Sequence, residues 1–263
     1  MKFHRMLALA SALAMFGLPA PHPAQAVEPS TAIAPKDGWY HQLVNASFVA
    51  GYAILPKPDG VMIIDSRPTA RKYDLGHIPT AINIPDSQFE KLLDKLPADK
   101  DTLLIFYCDG PECLLSHNSA FKAEKLGYTR VHVYAAGYPD WIKKGNMGAV
   151  SLPFLKKKLD EGSPLTLIDS RPKERKFDKG HIPGAINIPF TENLDGNGYF
   201  LSPDTLKTKY TETFGETEPR NIIVHCGSGV TACHTLLALA HAEMEIPKLY
   251  VGSWSEWSRN NKK

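Results

Sequence analysis

The chain has 263 residues, of which 43% are hydrophobic and 22% are charged, and its formal net charge is +2. This composition is typical of a globular protein and argues against a disordered or fibrous chain. A net charge so close to zero also argues against a nucleic-acid-binding protein, which would carry an excess of Lys and Arg.

The first 26 residues have the organisation of a secretory signal peptide. Lys2 and Arg5 precede an apolar run at residues 6–18, and small residues follow at 24–26. We expect cleavage before Val27 and export, to the periplasm. A membrane anchor is the alternative, but so short a run favours a cleaved peptide and no stable membrane insertion after processing.

A long internal repeat divides the rest of the chain. Residues 64–85 and 168–189 match at 17 of 22 positions at an offset of 104. Identity at this level indicates two copies of one compact unit rather than short solenoid modules. The polar, Gly-rich segment 143–148 favours a boundary there, which predicts domains at residues 38–145 and 150–263.

Short apolar runs alternate with helical patterns in each copy, which predicts an α/β fold. We expect two tandem domains, each a parallel sheet covered by helices on both faces. The first copy is predicted to have strands at 61–64, 81–84, 102–107 and 131–134 and a helix at 116–125. The second is predicted to have strands at 165–168, 185–188, 221–225 and 248–251, a helix at 231–242, and extra length around residues 192–214.

Each copy places a cysteine directly after its third strand. Gly227 and Gly229 follow Cys226, and a helix is predicted from Thr231. Glycines let successive backbone N–H groups turn toward one point, and a helix N-terminus adds positive potential there. A sulfur atom at that point is stabilised as the thiolate, which predicts that Cys226 is a nucleophile.

Two other cysteine chemistries fit the spacing poorly. A cysteine phosphatase needs an Arg six positions after the Cys to bind the phosphoryl oxygens, but those positions hold Ala232 and Leu114. Cys108, Cys113 and His117 could donate to a metal, yet no fourth ligand or paired Cys spacing is evident. We therefore expect neither a metal nor another cofactor.

Three segments of the second copy carry a family resemblance. HCGSGVTAC at residues 225–233, GHIPGAINIPF at 180–190 and YVGSWSEW at 250–257 resemble the catalytic domain of thiosulfate and 3-mercaptopyruvate sulfurtransferases, in the rhodanese superfamily. The resemblance implies a persulfide on Cys226 and a substrate anion bound by Arg175. It also implies a cradle of backbone amides, contributed by Gly227, Ser228, Gly229, Val230 and Thr231.

The expected donor is thiosulfate or a related sulfane-sulfur compound. Ser228 is the choice typical of the mercaptopyruvate enzymes, but the short stretch from Arg175 to His181 lacks the longer segment by which those enzymes supply a second arginine. The expected acceptor is cyanide or a thiol. The alternative function is a non-enzymatic sulfur carrier or a partner-binding module of an exported redox system.

The first copy resembles the single-domain rhodaneses of exported bacterial proteins, through its Cys108 loop and YAAGYPDW at residues 134–141. Cys108 is therefore a candidate for a second catalytic cysteine. Asp109 and Glu112 are expected to raise the pKa of its thiol and to repel an anionic donor. Cys113 is predicted to be a resolving thiol that forms a disulfide with Cys108, which an exported thiol reductant would have to reset.

The remaining polar residues that both copies of the repeat share have structural interpretations. Two Asp–Arg pairs follow the first strand of each copy and are predicted to be ion pairs rather than acid or base catalysts: Asp65 with Arg67, and Asp169 with Arg171. His77 and His181 are expected to be hydrogen-bonded scaffold. By resemblance to the mercaptopyruvate enzymes, His77 is also a candidate auxiliary catalytic residue.

Overall fold

The computed structural model describes residues 35–215, 219, 221–244 and 246–261. The predicted signal peptide lies outside them. None of the helices in these ranges is long and apolar enough to cross a membrane.

The first copy is built on a parallel sheet. Its described strands are β1 (Val61–Asp65), β2 (Ile82–Asn83), β3 (Leu103–Tyr107) and β4 (Val131–Tyr134), in the order β2-β1-β3-β4. Its α-helices are α1 (Ala46–Ala50), α2 (Leu115–Lys125) and α3 (Gly137–Lys143). Short π- and 3-10-helical turns occupy Thr69–Tyr73, Asp86–Lys91 and Leu93–Lys95.

The second copy repeats this sheet and adds a strand at one edge. Its strands are β5 (Ala149–Val150), β6 (Thr166–Asp169), β7 (Ile186–Asn187), β8 (Ile222–His225) and β9 (Lys248–Tyr250), all parallel and ordered β5-β9-β8-β6-β7. Its helices are α4 (Leu152–Asp160), α5 (Pro203–Phe214), α6 (Ala232–His241) and α7 (Ser253–Asn260). 3-10 turns lie at Phe177–Lys179 and Phe190–Asn193.

Each sheet buries both of its faces. Successive side chains of a strand point to opposite faces, so Phe106 packs with α2 on one face while Ile105 packs with α1 and α3 on the other. In the second copy, α5 and α6 cover one face and α4 and α7 the other. Helices on both sides explain why every residue of β3 and β8 before the last one is apolar. The predicted fold class is confirmed.

The two copies meet through backbone contacts as well as side chains. His77 and Ala149 exchange two backbone hydrogen bonds of 2.9 and 2.8 Å, and Ala149 also pairs with Leu249 in the second sheet. Leu55 of the first copy packs against the core of the second. The edge strand β5 therefore belongs to the second sheet and is bound to the first copy at the same time.

Candidate active site

Cys226 lies at the carboxyl end of β8, the central strand of the second sheet. Its side chain is almost fully buried, and the backbone N–H of Gly229 donates a hydrogen bond of 3.2 Å to its Sγ. Gly229 has φ +91°, and a Cβ there would lie 3.0 Å from the carbonyl oxygen of Val251 and 3.1 Å from Leu55. Glycine is required at this position both by the backbone conformation and by the close packing.

The N-terminus of α7 fixes the orientation of the loop. The backbone N–H of Trp254 donates to the carbonyl oxygen of Cys226 at 3.0 Å, and the N–H of Ser255 donates to that of Gly227 at 3.0 Å. Because the C=O and N–H of one peptide unit point in opposite directions, the amides of Gly227 and Ser228 point away from α7. In the described part of the chain, the amides of Ser228, Val230 and Thr231 have no acceptor, so they are available to an anion.

Ser253 is a site residue that the sequence analysis missed. Its Oγ accepts a hydrogen bond from the backbone N–H of Cys226 at 3.2 Å and donates to the carbonyl oxygen of Tyr250 at 2.9 Å. It has φ +52°, a conformation that costs energy for any residue with a Cβ. The first copy has Gly137 at the matching position, with φ +68°. The signal available in the sequence was this exchange of glycine for serine between the two copies.

A buried ion pair supports the base of each site. Arg171 forms a fork-shaped contact with Asp169, with distances of 2.5 to 3.0 Å, and also donates to the carbonyl oxygen of Gly180. The guanidinium lies 4.8 Å from the ring of Trp254. In the first copy, Asp65 and Arg67 form the same contact. These pairs hold the loop after the first strand, and the predicted ion pairs are confirmed.

The predicted substrate-binding residues of the second copy face solvent. The side chains of Ser228 and Val230 are exposed, and Thr231 is half-buried. Arg175 is exposed in the turn between β6 and β7 and forms no hydrogen bond or ion pair with any described residue. Its guanidinium is therefore not committed to a structural contact, although the structure does not bring it against Cys226.

Cys108 has a different environment. Its thiol is fully buried at the end of β3, donates to the carbonyl oxygen of Cys113 at 2.9 Å and accepts from Ser116 Oγ at 3.1 Å. The hydrogen bond to Cys113, together with burial, raises the pKa of Cys108 far above its usual value. A Cβ on Gly137 would lie 2.4 Å from the Cys108 carbonyl oxygen, so no side chain like that of Ser253 fits there.

The predicted cause of the high Cys108 pKa was wrong. Asp109 lies 3.3 Å from Arg67 and 3.0 Å from Lys72, and Glu112 pairs with Lys36. Both acidic residues thus have cationic partners, so their repulsion of an anion is largely offset. The pKa of Cys108 is raised by its neighbour Cys113 and by burial instead.

His77 is part of the contact between the two copies. Its Nδ1 lies 2.8 Å from the carbonyl oxygen of Tyr73, and its ring stacks on the Tyr73 ring at 3.9 Å. Burial lowers the pKa of His77 to about 4, so the imidazole is neutral at pH 7. These contacts agree with the scaffold interpretation and do not place His77 against the Cys226 loop. Over the described residues, no group of three or more His, Cys, Asp or Glu side chains could hold a metal ion.

Comparison with known protein families gives one match for each copy. A family model described as "Rhodanese-like domain" matches residues 52–144 and 151–260. The chain belongs to the rhodanese-like family. Its relatives include the probable 3-mercaptopyruvate sulfurtransferase of Pseudomonas aeruginosa, which is 42% identical over an alignment of 105 residues that covers 36% of this chain and 37% of that protein.

Two longer alignments extend across both rhodanese-like domains. The 3-mercaptopyruvate sulfurtransferase of Escherichia coli K12 is 29% identical over 239 residues, covering 73% of this chain and 84% of that enzyme. The thiosulfate sulfurtransferase of Gallus gallus is 27% identical over 201 residues, covering 65% of this chain and 69% of that enzyme. These relatives identify this rhodanese-like chain as a sulfurtransferase.

Proposed function

We propose that this rhodanese-like protein transfers a sulfane sulfur atom from thiosulfate or a related donor to cyanide or a thiol, through a persulfide on Cys226. The observation that carries the proposal is the hydrogen bond that the Gly229 N–H donates to Cys226 Sγ. In the same loop, the amides of Gly227 and Ser228 point away from α7. This arrangement favours negative charge on sulfur, as thiolate or as persulfide.

The reaction proceeds in two displacements at sulfur. The Cys226 thiolate attacks the outer sulfur of thiosulfate, the sulfur–sulfur bond of the donor breaks, and sulfite leaves with the electron pair. Cyanide then attacks the outer sulfur of the persulfide, which forms thiocyanate and returns Cys226 to the thiolate. Between the two displacements, the outer sulfur of the persulfide needs hydrogen-bond donors to stabilise its negative charge. The unpaired amides of Ser228, Val230 and Thr231 could donate those hydrogen bonds.

Mass spectrometry of the intact protein and of its peptides tests the donor. Exposure to thiosulfate is expected to add one sulfur atom at Cys226, and cyanide is expected to remove it, repeatedly. The same measurement with 3-mercaptopyruvate compares the two donors directly. If only 3-mercaptopyruvate adds sulfur at Cys226, then 3-mercaptopyruvate and not thiosulfate is the donor. A label that leaves only once, on contact with a partner protein, would favour a sulfur carrier instead of an enzyme.

Replacing Arg175 with alanine is expected to raise the KM for thiosulfate by about tenfold with a smaller change in kcat, because the lost charge-assisted contact acts on the bound anion as well as on the transition state. Steady-state kinetics with thiosulfate and cyanide measure both constants. Arg71→Ala is the matched control, since Arg71 holds the same position in the first copy and is equally exposed. An unchanged KM for Arg175→Ala would remove this residue from the site.

A further inference from the structure

The first copy holds two cysteines in one short loop, which the proposed reaction at Cys226 does not use. The Cys113 N–H donates to the carbonyl oxygen of Gly110 at 2.9 Å, which turns the chain back on itself. The Cys108 thiol in turn donates to the Cys113 carbonyl oxygen at 2.9 Å, so its side chain lies against Cys113. The turn therefore brings the two cysteines against each other, and both are free thiols.

The two thiols differ in access to solvent. Cys108 is fully buried, whereas Cys113 is half-buried at the rim of the loop, two residues before α2 begins. A reagent from solvent therefore meets Cys113 first. Cys108 is the less accessible of the two sulfur atoms.

The two thiols also differ in pKa. The hydrogen bond from Cys108, with the backbone amides of Asp109 and Leu115, lowers the pKa of Cys113 to about 6. Leu115 is the first residue of α2, so the helix N-terminus adds to this stabilisation. Of the two thiols, the accessible Cys113 is therefore the one that loses its proton more readily.

We propose that Cys113 and Cys108 form a dithiol that reduces sulfane sulfur to sulfide, with Cys113 as the attacking thiolate and Cys108 as the resolving thiol. This assignment reverses the roles expected from the sequence, in which Cys108 carries the sulfur. The site lies in the first copy, so it is an activity separate from sulfur transfer at Cys226.

The steps balance as follows. Cys113 attacks the outer sulfur of thiosulfate, and sulfite leaves, which gives a persulfide on Cys113. Cys108 then attacks the Cys113 sulfur while its proton passes to the outer sulfur, so that the persulfide bond breaks, hydrosulfide leaves with the electron pair and a Cys108–Cys113 disulfide forms. The sulfane sulfur gains two electrons and the two thiols lose them. An external dithiol is the co-reactant that returns the pair to the reduced form.

The charges around the loop are compatible with an anionic donor. Asp109 is paired with Arg67 and Lys72, and Glu112 with Lys36. Every acidic side chain of the loop thus has a basic partner that offsets part of its repulsion of an anion, and the remaining effect of Asp109, which raises the Cys113 pKa, is smaller than the contacts that lower it.

The full chain carrying Cys226→Ser isolates this chemistry from the main site. After reduction, removal of the reductant and exposure to thiosulfate, we expect about one sulfite and one sulfide per chain. Peptide mapping without reduction is expected to show a Cys108–Cys113 disulfide. Adding Cys108→Ser should stop sulfide release and leave one extra sulfur atom on Cys113, whereas adding Cys113→Ser should abolish both products.

The second measurement is brief alkylation of the reduced Cys226→Ser protein at pH 7, where Cys113 is expected to be labelled before Cys108. Cys233→Ser is the control, because burial raises the pKa of Cys233 and its loss should change neither result. A persulfide that accumulates on Cys108, or the absence of sulfide from the Cys226→Ser protein, would overturn the proposal. Neither result would bear on persulfide formation at Cys226 in the unmodified chain.

Discussion

Replacing Cys226 with serine is expected to lower the rate of sulfur transfer from thiosulfate to cyanide by more than about tenfold. The hydroxyl of serine fits the space of the thiol and can accept the Gly229 hydrogen bond. It remains protonated at neutral pH, however, and it is a far weaker nucleophile toward sulfur than a thiolate. Thiocyanate formation measures the rate, and thermal unfolding checks that the variant folds like the parent.

Cys233→Ser is the matched control for this loss. Cys233 lies one position into α6 and donates to the carbonyl oxygen of Gly229 at 3.7 Å, but it makes no direct contact with the Cys226 sulfur among the hydrogen bonds of the described residues. Its substitution should leave the rate near that of the parent. If Cys226→Ser instead retains more than about a tenth of the parent rate, the main transfer site must lie in the first copy.

Replacing Asp169 with alanine is expected to lower the free energy of unfolding by about 3–5 kcal/mol, because it leaves the Arg171 guanidinium buried without its carboxylate. Asp169 is fully buried and accepts from both the side chain and the backbone N–H of Arg171. Urea unfolding followed by circular dichroism measures the difference. Asp169→Asn keeps the shape of the side chain and serves if the alanine variant does not fold.

An exposed pair in the same turn provides the comparison. Lys173 and Asp178 approach to 2.9 Å, but their side chains are 64% and 43% exposed. Loss of such a pair costs about 0–1 kcal/mol, because water and ions screen it, so Asp178→Ala should have little effect. Equal losses for Asp169→Ala and Asp178→Ala would mean that the buried pair contributes no more than a surface contact.

The strands were predictable from the sequence because their signals are local. β4 was predicted with its observed bounds, and β3 and β8 were predicted to within one residue at one end. Buried parallel strands are short apolar runs, and a repeat shows each run twice, so the second copy confirms the interpretation of the first. The helices after the cysteine loops, α2 and α6, were predicted to within one residue at each end for the same reason.

Three of the other helices, α1, α3 and α5, were not predicted, for identifiable reasons. α1 has only 5 residues, and α3 contains Pro139 and begins at a glycine, so neither presents a helical period of useful length. α5 does carry local signals, with Ser202 as N-cap and Pro203 as first helical residue. Those signals lie in the extra segment of the second copy, where the first copy offers no counterpart for comparison.

The site was predictable only as far as it is local. The cysteine loop and its glycines are contiguous, whereas Ser253 reaches Cys226 across 27 residues of sequence, through a backbone conformation that no pattern reveals. The same limit explains the error about Asp109. Its partners Arg67 and Lys72 come from a turn more than 35 residues earlier, so a count of nearby charges could not include them.

Strand β5 has a consequence for how substrates reach the buried sulfur. Ala149 is hydrogen-bonded to His77 of the first copy and pairs with Leu249 in the second sheet. A hinge rotation between the copies would therefore have to break either the β5–β9 pairing or the His77–Ala149 hydrogen bonds. Leu55 of the first copy extends across this contact and lies over the turn at Gly229. This contact therefore forms one wall of the Cys226 loop, and we expect substrates to reach Cys226 past the exposed residues Ser228 and Val230 rather than through opening of the two domains.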